Sequence, residues 1–457
     1  MVYARAMNTA AAALHAARFE TLAGWLRHCE HLHGQEIDLT LDRVLEVKRR
    51  VGLSFGVPVI SVAGTNGKGS TCAMLESMAR AAGLKVGLYS KPHLLHFEER
   101  CRLNGATVAA EALLPHFEAI ERARGEVSLS FFEYTTLAIM RLLSCSDLDL
   151  VILEVGLGGR LDAVNAVDAD CAVITGIDID HTEFLGSTRE AIGFEKAGIM
   201  RRGRPVVIGD VDPPASVLRH AHDIGALPRC RGRDFDLVRH ADADSWAWRG
   251  WAGERVGLPR PALQGDCQFD NAATAIAALQ ALGLCNEGGD AALRAGLRNV
   301  RLAGRFEVFT GDPTLVLDVA HNVQSVRSLA ANLAAQPHRG RTAAVFGCMH
   351  DKDVPALLPL IEPQVDVWHL TDLPLPRAEK ADVLARLLAR CASRPLAGRV
   401  FLHARPADAL AAALAAEAAP VERIVAFGSF YTVGGVMAAP AFTSRWPAPG
   451  GATSRPA

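Results

Sequence analysis

Short apolar runs alternate with longer amphipathic stretches through the first half of the chain. The apolar runs predict buried strands, and the stretches between them have the apolar spacing of helices. We expect strands at residues 58–63, 85–90, 148–155, 171–177 and 205–208, and helices at 70–82, 111–122 and 132–144. Such alternation is typical of an α/β fold with a doubly wound, mostly parallel sheet.

The second half repeats this rhythm after an irregular segment. Residues 210–265 predict a β-rich excursion, followed by a helix at 271–282. Further strands are expected at 314–319, 342–346, 365–369, 399–403 and 423–427, with an alanine-rich helix at 407–418. We therefore expect a first domain over residues 1–300, a second, smaller Rossmann-like α/β domain over 301–440, and a disordered Pro- and Gly-rich tail over 441–457.

A glycine-rich segment separates the first predicted strand from the helix that follows it. In such a segment, backbone N–H groups, the helix N-terminus and a lysine together form a cradle for phosphates. The usual phosphate loop has Ser or Thr directly after Gly-Lys, whereas Gly69 intervenes here before Ser70. We interpret the segment as a shorter P-loop variant that binds a nucleotide, with Ser70 placed to reach magnesium; a glycine-rich turn is the alternative. Its residues are Gly64, Thr65, Asn66, Gly67, Lys68, Gly69 and Ser70, with Thr71 directly after.

Composition narrows the class of protein. A chain of 457 residues, half of them apolar, is long enough for two or three domains. Its formal net charge is −2 and it has no basic run, so neither nucleic acid nor a membrane is an expected partner. Ten cysteines without a Cys-x-x-Cys pair, together with the lack of a signal sequence and of a long apolar run, lead us to expect a cytoplasmic protein with reduced thiols.

Polar side chains follow several of the predicted strands. Glu154 and His181 come after the third and fourth strands, and Lys196 lies in the helical stretch beyond them. Asp318 and His321 follow the first strand of the second domain. Because ligands of a doubly wound sheet bind beyond the carboxyl ends of its strands, we expect these groups to face one crevice. Taken singly, each also fits an ordinary role, such as a solvated strand end or a structural histidine.

As a set, the motifs of this chain resemble those of the Mur ligase family. The likeness runs from about residue 19 to residue 437. In chain order the matching motifs are residues 64–70, Pro92-His93-Leu94, Phe132-Glu133-Tyr134, 154–165, Asp180-His181-Thr182, 195–199, Asn271-Ala272-Ala273, Gly304-Arg305-Phe306, 318–322, 350–353 and Gly428-Ser429-Phe430.

The resemblance implies an ATP-dependent ligase, and the likeness is to the members that act on folates. ATP would phosphorylate a carboxylate of dihydropteroate or a reduced folate, and L-glutamate would displace the phosphate, with two Mg²⁺ ions neutralising charge. No large apolar stripe in the sequence demands a partner, so we expect a monomer. Two alternatives stay open: a family member that extends a UDP-linked peptidoglycan precursor, and an ATP-binding regulator without ligase activity. The first usually has an extra N-terminal domain, for which the residues before Gly64 leave no room.

The resemblance also implies roles for individual residues. Lys68 and the loop amides would bind phosphates, and Ser70 and Glu154 would hold one Mg²⁺. His181 and a carbamylated Lys196 would hold the second ion, so that Lys68, His181 and Lys196 are the expected catalytic residues. The remaining matches are Phe132 stacking on the pterin, Asp162 hydrogen-bonded to it, Ser429 near the incoming glutamate, and Asn271, Arg305, Asp318 and His321 closing on ATP from the second domain.

The chain departs from the family pattern at Lys91. The family normally has serine directly before Pro-His-Leu, where it assists a magnesium ion, and here Ser90 stands one position earlier. An ammonium group cannot ligate Mg²⁺, so we expect Ser90, a water or an altered site to take that place.

Overall fold

The first domain is built on an eight-stranded sheet. The computed structural model describes residues 19–34, 38–239, 245–251, 253–284, 289–336, 340–415 and 421–446. The strand order is β4-β3-β2-β5-β1-β6-β7-β8, and neighbours from β2 through β8 are parallel. The strands are β1 Val59–Ala63, β2 Val86–Tyr89, β3 Cys101–Leu103, β4 Ala106–Thr107, β5 Leu150–Glu154, β6 Cys171–Ile174, β7 Pro205–Ile208 and β8 Leu227–Cys230.

Helices cover both faces of this sheet, which confirms the doubly wound α/β fold. Strands β1 and β5 are buried along their whole length, as near-continuous apolar runs require. Val59 packs into one core and Ile60 into the other, so successive residues of β1 serve opposite faces. The helices are α1 Leu22–Glu30, α2 Asp42–Val51, α3 Lys68–Ala81, α4 Ala110–Arg124, α5 Phe131–Ser144, α6 Thr182–Leu185, α7 Arg189–Ala197, α8 Ala215–Ile224, α9 Cys267–Ala281 and α10 Gly289–Asn299.

The segment predicted as an irregular excursion is more regular than expected. It contributes helix α8, whose apolar side is anchored by Val217 and Ala221, and an antiparallel three-stranded sheet with β10 in the middle. Trp246 and Trp248 of that sheet are fully buried against α3 and α9. Its strands are β9 Phe235–Arg239, β10 Ser245–Gly250 and β11 Gly253–Pro259.

The second domain has a six-stranded sheet of order β12-β13-β17-β14-β15-β16, with only the β12–β13 pair antiparallel. Its strands are β12 Glu307–Phe309, β13 Thr314–Leu317, β14 Arg341–Phe346, β15 Val367–Thr371, β16 Val400–His403 and β17 Val421–Phe427. Its helices are α11 Val323–Ala335, α12 Val354–Ile361, α13 Ala381–Cys391, α14 Pro406–Leu414, α15 Phe430–Met437 and α16 Pro440–Arg445.

The chain after residue 440 differs from the sequence expectation of a disordered tail over 441–457. Residues Pro440–Arg445 form a helix because Phe442 and Trp446 bury their rings in the core of the second domain. The ring of Phe442 packs edge-on against Phe309, with 5.2 Å between centroids. Residues 447–457 lie outside the described residues. Within the described ranges, no helix has both the length and the apolarity needed to cross a membrane.

Candidate active site

A cleft of about 830 Å³ opens beyond the carboxyl ends of the first sheet and is closed on its far side by the second domain. Both domains contribute side chains to it, but Asn271 reaches it from helix α9 of the first domain and not, as expected, from the second. Two of the expected residues, Thr71 and Asp162, are not part of its lining. The expected residues that line it are Gly64, Thr65, Asn66, Gly67, Lys68, Gly69, Ser70, Phe132, Glu154, His181, Lys196, Asn271, Arg305, Asp318, His321 and Ser429.

The phosphate loop, residues 64–70, depends on two glycines held close to other chain segments. Gly67 has φ +93° and caps helix α3, and a Cβ there would lie 2.4 Å from Asn271 Oδ1. A Cβ on Gly64 would lie 1.8 Å from Thr175 Oγ1. Any side chain at either position would collide with these neighbours. Glycine is therefore required for the loop backbone to pack this closely against Asn271 and Thr175.

Lys68 and Ser70 begin helix α3 and face the cleft, whereas Thr71 does not. The Lys68 ammonium donates to the carbonyl oxygens of Gly64 (2.8 Å) and Thr65 (3.1 Å). Burial lowers the pKa of Lys68, and the negative charges of Glu154 and Asp180 oppose that shift. Thr71 is fully buried in the helix packing because each residue turns the helix face by about 100°.

The carboxylate of Glu154 reaches the phosphate loop from the end of β5. A Cβ on Gly69 would lie 3.7 Å from Glu154 Oε1 and 3.5 Å from Arg305 Nη2, so the loop, an acid and a guanidinium from the second domain converge. Burial raises the pKa of Glu154, while the charge of Lys68 acts in the opposite direction. One buried carboxylate beside a serine and a phosphate loop fits the ligand set that Mg²⁺ prefers when it also binds phosphate oxygens.

His181 and Lys196 lie on the next elements along the chain. His181 has φ +51° just before the short helix α6, and burial lowers its pKa to about 4, so its imidazole is neutral at pH 7. Lys196 is 4% exposed on α7, and burial together with the charge of Lys68 lowers its pKa to about 7. Among the described residues no three His, Cys, Asp or Glu side chains form a ready-made metal cluster.

At the other end of the cleft, Phe132 presents its ring and Asp162 lies behind the lining. Asp162 is 2% exposed, and its carboxylate accepts hydrogen bonds from the backbone N–H groups of Gly156, Leu157 and Val164. Lys91 lies over the Phe132 ring, with Nζ 4.0 Å from the centroid. Burial lowers the pKa of Lys91 to about 8.

The second domain faces the phosphate loop with charged groups held by its backbone. Asp318 accepts hydrogen bonds from the N–H groups of Phe306 and Ala320, and burial raises its pKa to about 6. The guanidinium of Arg305 lies 5.0 Å from the Phe430 ring. Ser429 caps helix α15, where its hydroxyl accepts from the N–H groups of Tyr431 and Thr432.

A contact between the domains was missed by the sequence reasoning. Lys352 Nζ donates to Asp180 Oδ1 at 2.8 Å, and Asn322 Nδ2 donates to Asp180 Oδ2 at 3.1 Å. Asn322 also donates to Asn66 of the phosphate loop. Asp180 and Lys352 both belong to motifs that the sequence analysis singled out, but their pairing across 172 residues left no local signal.

Comparison with known proteins agrees with this arrangement. Residues 62–222 match the Mur ligase middle domain, and residues 304–430 match the Mur ligase, glutamate ligase domain. The chain belongs to the Mur ligase family, as its motifs predicted.

Individual relatives narrow the similarity to one group within this family. The chain is 43% identical over 417 residues to the dihydrofolate synthase/folylpolyglutamate synthase of Escherichia coli (strain K12), covering 91% of this chain and 94% of that protein. The solved structure of E. coli FolC in complex with DHPP and ADP matches with a TM-score of 0.84 at 42% identity, covering 92% and 97%. A bifunctional folylpolyglutamate synthase/dihydrofolate synthase with Mn, AMPPNP and L-glutamate bound matches with a TM-score of 0.82 at 41% identity, covering 92% and 98%.

Proposed function

We propose that this chain is an ATP-dependent ligase that joins L-glutamate to dihydropteroate, forming dihydrofolate, and to reduced folates, extending a polyglutamate chain. The observation that carries the proposal is the convergence of the phosphate loop, the buried Glu154 carboxylate and Arg305 of the second domain in one cleft. The likeness to a bifunctional synthase over 91% of the chain supports the same substrates.

The reaction needs positioned charges rather than a protein nucleophile. A carboxylate oxygen of the acceptor attacks the γ-phosphorus of ATP, the bond to the β,γ-bridging oxygen breaks, and an acyl phosphate and ADP result. The amino nitrogen of L-glutamate then attacks the acyl carbon, loses a proton and displaces inorganic phosphate. Lys68 and Arg305 would hold the phosphates and stabilise the charge that develops on them.

Divalent metal ions complete the charge balance. Mg²⁺, when bound, would reduce the repulsion between phosphate and carboxylate. Ser70 and Glu154 would hold one ion, and His181 with Lys196 a second. An ammonium has no lone pair, so Lys196 would act only after its amine had reacted with CO₂ to form a carbamate. Burial and a lowered pKa favour the neutral amine that this reaction needs.

The carbamate has its own test. Protein equilibrated with ¹³C-bicarbonate should give one slowly exchanging carbamate signal in its ¹³C NMR spectrum, and the Lys196→Arg variant should lack it. Equal spectra for both proteins would remove the carbamate from the proposal and leave the ligase reaction to be judged separately.

The ligase reaction is tested with Mg-ATP, L-glutamate and either dihydropteroate or a reduced folate, following phosphate release and product mass. Products with both acceptors support the bifunctional enzyme, and a product with dihydropteroate alone restricts it to the first activity. ATP binding without glutamate-dependent phosphate release refutes the ligase. We also propose that the protein works in the cytoplasm as a monomer, for which light scattering should give the mass of one chain.

A further inference from the structure

Lys91 places inside the cleft an ammonium whose one ion-pair partner among the described residues is Asp162, 3.7 Å away. Its side chain is 6% exposed, and its Nζ has no hydrogen-bond acceptor among the described residues. The Nζ lies 4.0 Å from the ring centroid of Phe132 and 4.6 Å from that of Tyr89. Aromatic faces attract an ammonium, but they do not satisfy its three N–H donors. A buried group with unused donors is costly, so this position fits a ligand that supplies an oxygen.

The path of the side chain shows which part of a ligand it meets. The backbone N–H of Lys91 donates to Glu154 Oε2 at 3.2 Å, so the residue starts beside the phosphate end of the cleft. Its side chain then runs away from Glu154 toward Phe132. A Cβ on Gly156 would lie 3.2 Å from Nζ and 3.0 Å from Phe132 Cζ. The ammonium therefore lies at the Phe132 end of the cleft.

The carboxylate of Asp162 lies next to the ammonium, behind the lining of the cleft. Its Oδ2 accepts two backbone N–H groups, from Gly156 and Leu157, and its Oδ1 accepts one, from Val164. These bonds fix the carboxylate and leave Oδ1 with one unused lone pair. Lys91 Nζ lies 3.7 Å from that atom, and Lys91, unlike Asp162, lines the cleft. The polar group presented to a ligand here is thus a donor rather than an acceptor.

We propose that Lys91 is a specificity-determining residue that donates a hydrogen bond to the ring oxo group of the acceptor at the Phe132 end of the cleft. The ligand class is a flat, bicyclic heterocycle with a carbonyl on its ring. Its identification with a pterin rests on the proposed function. An ammonium binds an oxo oxygen and repels an amino group at the same place, so one lysine discriminates between two otherwise similar rings.

The experiment titrates two ligands into the full chain without nucleotide, glutamate or metal, and measures Kd by calorimetry. The ligands are pteroate and its 4-amino-4-deoxy analogue, which replaces the ring oxo group with an amino group. The variants are Lys91→Met, which keeps the length but removes the donors, and Lys85→Met as a matched control. Lys85 is half exposed and pairs with Asp147 on the outer surface.

We expect the unaltered chain and Lys85→Met to bind pteroate about tenfold or more tightly than the analogue, since a charged hydrogen bond distinguishes them. Lys91→Met should lower this ratio about tenfold, mainly by weakening pteroate binding. Equal weakening of both ligands would overturn the proposal, because packing alone would explain it. An unchanged ratio would also overturn it, because the ammonium would then not distinguish the two rings.

The proposal can be refuted even if Lys91→Met does not fold. The unaltered chain must bind pteroate more tightly than the 4-amino analogue, and equal affinities would overturn the proposal without any variant. The binding assay contains no ATP or glutamate, so a preference for the oxo ring in a protein without ligase activity would refute only the proposed function.

Discussion

Replacing Asp180 with asparagine removes one negative charge from the contact between the two domains and keeps the size of the side chain. Asp180 and Lys352 are 9% and 8% exposed, and their charged atoms are 2.8 Å apart. Burial alone would raise the pKa of Asp180, but His321, His181 and Lys352 outweigh it, so the pKa lies well below its usual range. The carboxylate is therefore charged at any working pH, and the variant leaves Lys352 with Asp351, 3.3 Å away, as its carboxylate partner.

The magnitude follows from where the charge is buried. Removing one member of a buried ion pair typically costs about 3–5 kcal/mol when the other charge stays buried. Separation of the domains would let water reach Lys352, and the cost would then be limited to that of opening the cleft. If the variant favours the open form by about 2 kcal/mol and the nucleotide binds only the closed form, nucleotide affinity should fall roughly 30-fold.

A double-mutant cycle separates the pair from its surroundings. We expect Asp180→Asn and Lys352→Met each to weaken AMPPNP binding in calorimetry and to increase the radius of gyration in solution scattering. The double variant should be less impaired than the sum of the singles, with a coupling of about 1–3 kcal/mol, because it buries neither Asp180 nor Lys352 without the other. The control is Asp382→Asn, whose ion pair with Arg386 is more than half exposed and should contribute almost nothing. Nucleotide affinity within twofold of the unaltered chain, or strictly additive effects, would refute the coupling.

Three further predictions follow from single positions. Lys68→Met should weaken AMPPNP binding by about a hundredfold while leaving the melting temperature of the nucleotide-free protein unchanged or higher, because a buried ammonium is lost; a lower melting temperature would contradict this. Gly67→Ala, at φ +93° and with its Cβ 2.4 Å from Asn271 Oδ1, should destabilise the fold in urea by more than Gly83→Ala, which has φ +88° and open space around it; equal losses would show that strain alone matters. Burial lowers the pKa of His369 to about 4, so its contribution to stability is present above about pH 6.5 and is lost as pH falls toward 4. His369→Gln should therefore lose less stability than the unaltered chain between pH 7 and pH 5, measured by urea unfolding, and parallel losses would contradict the assignment.

The central strands were predictable because burial on both faces makes them continuous apolar runs. Strand β5 shows this, since every residue from Leu150 to Glu154 is buried. The edge strands β3 and β4 of the same sheet could not be predicted from apolar runs. Strand β4 has two residues, both exposed, and β3 has one buried residue, so neither contains an apolar pattern. Helix α8 was missed because only Val217 and Ala221 of its ten residues are buried.

The order of the strands was enough to predict which residues lie near the phosphate loop. Glu154 and His181 follow β5 and β6, the two strands that flank β1, so their proximity to the phosphate loop after β1 follows from topology. Motif membership alone did not determine the direction of each side chain. Thr71 shares the loop motif with Ser70 but points into the core, and Asp162 shares a motif with Glu154 but is occupied by backbone N–H groups.

Burial acts on both signs of charge within the cleft, and the affected groups come from both domains. It lowers the pKa of Lys68 and Arg305 and raises the pKa of Glu154 and Asp318. Burial makes both the cations and the anions of the cleft costly. A ligand that carries phosphate anions together with bound metal cations would stabilise both kinds of group at once. Closure of the domains and binding of a metal–nucleotide complex should therefore be coupled through the same residues, rather than through a separate hinge signal.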